Sequence, residues 1–235
     1  MDLNNYYDRT DLLIDWVLEV LPNNARVLDV GANDGSFCQQ IRRVAEKSAI
    51  YAGVDPDSEK LRKHPLLSER FYATLETANI DDCSFDCLLV IYVFEHVAEE
   101  RDFIRAAGRI LRPGGSLFFI TPNRLHYFAA IASLFAAIGI QKRILGIIRP
   151  KTLVEKYHYP ALYRLNTPRK IREIGSAFGF DKFEFRFSEN LEEFSCYFPG
   201  PLKAFPWLWQ QMVKATRQEC LLGNLMGRMI KRDDG

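Results

Sequence analysis

From Arg26 onward, short apolar runs alternate with longer stretches in which apolar residues recur every three to four positions. RVLDV is followed by a helical pattern over about 36 to 47, then by IYAGVD, a mixed segment and FDCLLVIYV. Nearly continuous apolar strands separated by helical periods predict a βαβ series on a mostly parallel sheet. Ahead of it, Thr10 is positioned to cap a helix reaching about Leu21, with Leu12, Leu13, Trp16, Val17 and Val20 on one side and Pro22 as its stop. A further helix is expected over about 97 to 111. It is stopped by the turn Arg112-Pro113-Gly114-Gly115, and SLFFIT follows as the next strand. Thr167-Pro168 opens another helix with a capping hydroxyl and a proline at its first position, and Gly179 ends it. In DKFEFRF, Phe183, Phe185 and Phe187 alternate with charged residues. That period of two marks a half-buried strand, antiparallel and near an edge, so the sheet is expected to be mixed at one end. Two less regular stretches, about 124 to 166 and about 190 to 218, read as additions to this frame.

Composition narrows the picture. The 235 residues are 48% hydrophobic, enough to fill one core, and a single domain with insertions is expected. Lys plus Arg number 31 against 30 Asp plus Glu. A net charge of +1 provides no field to steer the protein onto nucleic acid, so no nucleic-acid partner is expected. The five cysteines are scattered without a C-x-x-C pair, which suggests neither a disulfide framework nor a metal site and fits a reducing cytoplasm. MDLNNYYDRTDLL carries acids where a secretory signal would carry basic residues. The longest uncharged run, 127–140, falls short of the roughly 20 residues that a membrane span requires.

The candidate chemistry begins at VLDVGANDGSF. A strand runs into a turn with Gly31 and Gly35, and a helix follows, so a ligand can lie against the strand's carboxyl end near free amides. A dinucleotide site would use G-x-G-x-x-G to admit a pyrophosphate, whereas here Asn33 stands at the point of closest approach with acidic Asp34 beside it. A carboxylate there repels a pyrophosphate and attracts a cation. At the end of the second strand, GVDP sets Asp55, beside Pro56, where its carboxylate can accept from both hydroxyls of a ribose.

Taken in order and spacing, VLDVGANDGSF, GVDPD, SFDCLLVIYVFEHV and LRPGGSLFFITPN resemble the successive signatures of class I S-adenosylmethionine-dependent methyltransferases. The resemblance covers residues 26–123 and, more loosely, TPRKIREIGSAFGF. It implies a Rossmann-like α/β fold with a mixed sheet of about seven strands, helices on both faces, a lid insertion, and CLLGNLMGRMIKR returning as a completing strand. By the same resemblance Gly31, Ala32 and Asn33 lie along the methionine part of S-adenosylmethionine, Asp29 orders the turn, Gly35 completes it, and Asp55 and Pro56 meet the ribose. The adenine-holding pair corresponds to Thr74 and Leu75, so Leu75 would pack on the ring while the family's usual acid is absent. Tyr92 falls near the methyl-bearing end, where its ring could face the sulfonium.

Methyl transfer from a sulfonium needs alignment more than a covalent residue, and a hydroxyl acceptor also benefits from a base. His96, in FEHV directly after the fourth strand, is the best-placed histidine, although Glu95 and His96 could equally serve to open the next helix. His158, among the tyrosines of the insertion, is the second base candidate. The insertion itself, RLHYFAAIASLFAAIGIQKRILGIIRPK, joins an apolar stretch to Lys142, Arg143, Arg149 and Lys151. It resembles in position and character the insertion of ubiquinone-biosynthesis methyltransferases. That implies a lipophilic small-molecule acceptor and peripheral membrane contact through 125–151. An ordinary lid helix burying Phe128, Ile131, Phe135 and Ile138 is the competing reading. Trp207 and Trp209, in the second irregular stretch, are expected to be exposed. Two further classes stay open on sequence alone: a nicotinamide-dependent oxidoreductase, and a cofactor-binding member without turnover.

Overall fold

The computed structural model describes residues 9–129, 161–189 and 200–233. Seven strands, β1 (Ala25–Val30), β2 (Ser48–Val54), β3 (Glu69–Phe71), β4 (Phe85–Ile91), β5 (Leu111–Pro122), β6 (Phe180–Ser188) and β7 (Asn224–Lys231), form one sheet in the order β3-β2-β1-β4-β5-β7-β6. The first five are parallel, and β7 enters antiparallel between β5 and β6. Reversal of strand order at β1 and β4 opens a crevice at their carboxyl ends, the usual place for a ligand on such sheets.

Alternation along each strand assigns side chains to two faces. Val27, Tyr51, Leu89 and Phe118 pack against α1 (Arg9–Val20), α2 (Cys38–Lys47) and α3 (Ser58–Lys63), whereas Leu28, Val54, Val90 and Phe119 face α4 (Glu100–Ile110) and α5 (Pro168–Ala177). Both faces are thus covered, which explains why the central strands are apolar throughout. Helix α5 starts as its sequence requires: Thr167 accepts from the Lys170 amide and Pro168 needs no partner. Strand β6 lies at the sheet edge, with Phe183, Phe185 and Phe187 half-buried between exposed charged residues.

Several expectations are corrected. Thr10 lies inside α1 and is fully buried, so it is not the cap. The helix expected from about 97 starts at Glu100, because 94–96 form a separate 3-10 turn. Arg112–Gly115 is not a terminating turn before the strand but a bulge within β5: register passes from Phe85 opposite Leu111 to Cys87 opposite Ser116, and Gly114 takes φ +73°. The second irregular stretch contains a twelve-residue helix, α6 (Phe205–Thr216), at whose first turn Pro206 is tolerated. Trp207 is exposed, but Trp209 is half-buried, its indole N–H donating to the Leu221 carbonyl at 3.3 Å and its ring 5.1 Å from that of Tyr127. Residues 130–160, with Ile131, Phe135, Ile138 and the cluster Lys142, Arg143, Arg149 and Lys151, lie outside the described residues, as do 190–199. Among the described residues no helix is long and apolar enough to cross a membrane.

Candidate active site

The turn after β1 is built from three left-handed residues in five: Gly31 (φ +73°), Asn33 (+51°) and Gly35 (+83°). The amides of Gly31 and Ala32 donate to the Val54 carbonyl at 2.8 and 3.4 Å, tying the turn to the end of β2. Asn33 tolerates the left-handed region better than most residues, and its Oδ1 accepts from the Asp34 amide at 2.8 Å. Its own amide donates to Asp55 Oδ2 at 3.0 Å, while the Asp57 amide donates to Oδ1 at 2.7 Å. The buried carboxylate of Asp55 therefore joins the β1 and β2 turns, and each oxygen retains a further acceptor site for a ligand hydroxyl. Burial raises its pKa, against the lowering effect of these two amides.

A side chain at either glycine would collide with neighbouring protein atoms. A Cβ on Gly31 would meet Val93 Cγ2 at 2.5 Å, and one on Gly35 would meet Cys38 Sγ at 2.3 Å and Pro65 Cδ at 3.0 Å. The first contact seats the loop after β4 directly on the glycine turn. That loop carries Tyr92, itself left-handed (φ +54°), half-buried and with its ring 5.9 Å from that of Phe37. Gly31, Asn33, Asp55 and Tyr92 are thereby brought together at the carboxyl ends of three adjacent strands.

Beneath the turn, Asp29 is buried and accepts from the Tyr51 hydroxyl at 2.8 Å. Burial raises its pKa to about 7, helped by the Asp55 carboxylate and opposed by the tyrosine. Tyr51 was not singled out from sequence. Its signal was a phenol amid the aliphatic residues of a central strand, since a buried hydroxyl needs a partner.

After β4, Glu95 is buried and held by a relay. Asn166 Nδ2 donates to Thr121 Oγ1 at 2.6 Å, and Thr121 Oγ1 donates to Glu95 Oε2 at 3.0 Å. Its backbone carbonyl accepts from the amides of Leu162 and Tyr163 at 2.6 and 3.3 Å, so residues 162–166 are anchored to this turn. Burial raises the Glu95 carboxyl above the usual range, while neighbouring His96 acts the other way. His96 is half-buried, its amide bonded to the Val93 carbonyl at 2.8 Å. His158 lies outside the described residues. His64 packs behind Gly35, its Nδ1 accepting from Leu66, and burial lowers its pKa. His126 is buried with Nε2 3.3 Å from Glu189 Oε2.

Leu75 does not stand open beside this crevice. It is 2% exposed within the core on the α4 face, so its side chain is committed to packing, and Thr74 bonds Thr77 Oγ1 at 3.0 Å. Pro56 follows Asp55 at the surface of the β2 turn. Among the described residues no group of three or more His, Cys, Asp or Glu side chains could hold a metal ion.

An aspartate-bridged glycine turn with Asp34 exposed beside it fits a ligand bearing a ribose and a positive charge better than a pyrophosphate. On this sheet order it defines a class I S-adenosylmethionine-dependent methyltransferase. Residues 6–184 match the family described as a methyltransferase domain, and the chain belongs to that family. It is similar to a ubiquinone biosynthesis O-methyltransferase of Nitrosococcus oceani, 32% identical over 142 residues that cover 53% of this chain and 55% of that protein. The mitochondrial ubiquinone biosynthesis O-methyltransferase of Mus musculus is 32% identical over 135 residues, 52% of this chain and 34% of that one. The matched region thus spans about a third to just over half of these relatives. Among solved structures, a methyltransferase of Thermotoga maritima superposes with a TM-score of 0.57 over 94% of this chain and 89% of its own. At 16% identity that likeness concerns the fold.

Proposed function

We propose that the protein methylates a hydroxyl of a lipophilic small molecule, with His96 as the base. The observation that carries this reading is the seat of His96: it stands one residue past a glutamate locked by the Thr121–Asn166 relay and four past Tyr92, on the loop packed against the glycine turn. The cofactor, when bound, supplies a methyl group on a sulfonium. In this reading Asp55 accepts from the ribose hydroxyls, Gly31, Ala32 and Asn33 line the methionine part, and the ring of Tyr92 faces the positive charge. His96 takes the hydroxyl proton as the oxygen acts, and the packed loop keeps the reacting groups in line. An oxygen acceptor is supported by similarity to the O-methyltransferases above, and a lipophilic one by the apolar and basic composition of 125–151. Contact of that segment with a membrane surface belongs to the same proposal.

The test is transfer of a labelled methyl group into an extract fractionated into lipid, saccharide and small polar pools, followed by His96→Ala. Label should enter the lipid pool. The variant should lose about a hundredfold or more in turnover with S-adenosylhomocysteine affinity unchanged. Full turnover in His96→Ala removes the base from this scheme, and label in protein or RNA removes the acceptor class.

A further inference from the structure

On the rim of the sheet beyond the cofactor crevice lies an open cleft of about 480 Å³. Four of its lining residues are cations, Arg124, Arg164, Arg169 and Lys170, and two are acids, Glu100 and Glu173. The acids are taken up locally. Glu173 Oε1 lies 3.3 Å from Lys170 Nζ, and Glu100 Oε2 lies 3.7 Å from Arg164 Nη1, which also donates to the Ala98 carbonyl at 2.6 Å. Arg124 and Arg169 have no ion-pair partner among the described residues, so two guanidinium charges remain uncompensated at one concavity.

The cleft is also tied to the reacting end of the sheet. Arg124 is two residues past β5, and its amide donates to the Asn166 carbonyl at 3.1 Å. Tyr163, another lining residue, bonds the Glu95 carbonyl from the turn that holds His96. These two backbone bonds join the cleft to the ends of β4 and β5, where the reading above places the acceptor hydroxyl. Thr167 and Tyr163 add polar lining suited to an oxyanion.

We propose that this cleft is an acceptor subsite for a carboxylate or phosphate group, gripped by Arg124 and Arg169, on the molecule whose hydroxyl is methylated beside His96. Planar guanidinium forks match such oxyanions, and the unpaired charges make binding dependent on ionic strength. The assignment rests on the methyl-transfer reading above and gives the acceptor an anionic end in addition to its lipophilic body.

The experiment follows arginine side-chain NMR signals of the full chain during titration with inorganic phosphate and with benzoate at low salt. S-adenosylhomocysteine affinity is measured alongside by calorimetry. Wild type should bind both anions saturably, and Arg124→Gln/Arg169→Gln should weaken them by about tenfold or more while S-adenosylhomocysteine binds as before. Both positions are exposed, so the double variant should fold, and Arg124→Lys/Arg169→Lys should restore part of the affinity. Absence of saturable binding to wild type, or equal binding to the Gln variant, overturns the subsite. Phosphatidylglycerol vesicles, with phosphatidylcholine as control, test the other source of phosphate. Vesicle binding lost in the Gln variant but not displaced by inorganic phosphate would make the cleft a lipid contact and overturn the acceptor role. Failure of wild type to bind S-adenosylhomocysteine would instead strike the methyl-transfer reading, and it is measured separately from the anion.

Discussion

The Tyr51 hydroxyl donates to Asp29 Oδ2 at 2.8 Å, joining β2 to β1 directly beneath the glycine turn. Both side chains are buried, and burial raises the Asp29 carboxyl pKa to about 7. An acid whose folded pKa lies above its unfolded value binds more protons in the folded state between the two, so stability falls as pH rises through that window. Here the window runs from about 4, the unfolded aspartate value, to about 7. The contribution is complete below the unfolded pKa and lost above the folded one. Other carboxylates act in the opposite sense, so the informative quantity is the difference between wild type and Asp29→Asn. Urea unfolding from pH 4 to 8 should show wild type losing up to about 4 kcal/mol relative to the variant across this range. A difference that stays flat with pH would mean that Asp29 does not titrate there.

Asn33 tests how the turn and Asp55 cooperate. Its left-handed backbone aims the amide at Asp55 Oδ2, and glycine can hold that conformation as well as asparagine. Asn33→Gly should therefore leave S-adenosylhomocysteine affinity within about threefold, despite loss of the Oδ1 contact to Asp34. Asn33→Val places a β-branched residue at φ +51° and should cost about 1 to 3 kcal/mol of stability. Cofactor affinity should fall with it, because a backbone that relaxes out of the left-handed region turns the residue 33 amide away from Asp55. Thermal unfolding and calorimetry on the two variants check both statements. Equal behaviour of the Val variant and wild type would show that the turn does not depend on this backbone state.

Much of this arrangement was legible in the chain, and what was not has identifiable causes. The βαβ rhythm placed β1, β2, β4 and β5 because strands buried on both faces are apolar throughout, and the Thr167-Pro168 and Gly179 signals bounded α5 to within two residues. Strand β6 followed from its period of two. Strand β3, only three residues long, is too short for any period to register. Helix α6 was hidden because its apolar residues are not confined to one face: Pro206 and Val213 are buried, yet Trp207, Leu208 and Met212 are exposed. At the site, the glycine spacing pointed to the turn, but nothing local announces that Val93, 62 positions away, fills the space beside Gly31. Leu75 is ambiguous for a related reason. An aliphatic residue at a ligand-facing position and one in the core look alike in sequence, and only its contacts separate them.

The relay from Asn166 through Thr121 to Glu95 separates a positioning role for Glu95 from a proton-carrying one. Thr121 has a single hydroxyl proton, which it gives to Glu95 Oε2 while accepting from Asn166 Nδ2. Thr121→Val keeps the shape and deletes both bonds, leaving a buried carboxyl and a buried amide each short of a partner. The expected cost is about 2 to 4 kcal/mol, while the backbone bonds from Leu162 and Tyr163 to the Glu95 carbonyl stay in place. Glu95→Ala should lose stability comparably and reduce turnover, since His96 sits on the same turn. Glu95→Gln is the informative change: its amide oxygen can still accept from Thr121, and it mimics the protonated acid that burial favours. If Glu95 only positions the turn, Glu95→Gln should retain turnover within about threefold and leave the pH profile unshifted, while Glu95→Ala loses far more. If Glu95 itself carries a proton, both variants should fail alike and the acidic limb of the profile should vanish. Turnover against pH for the three proteins, with stability measured in parallel, decides between them.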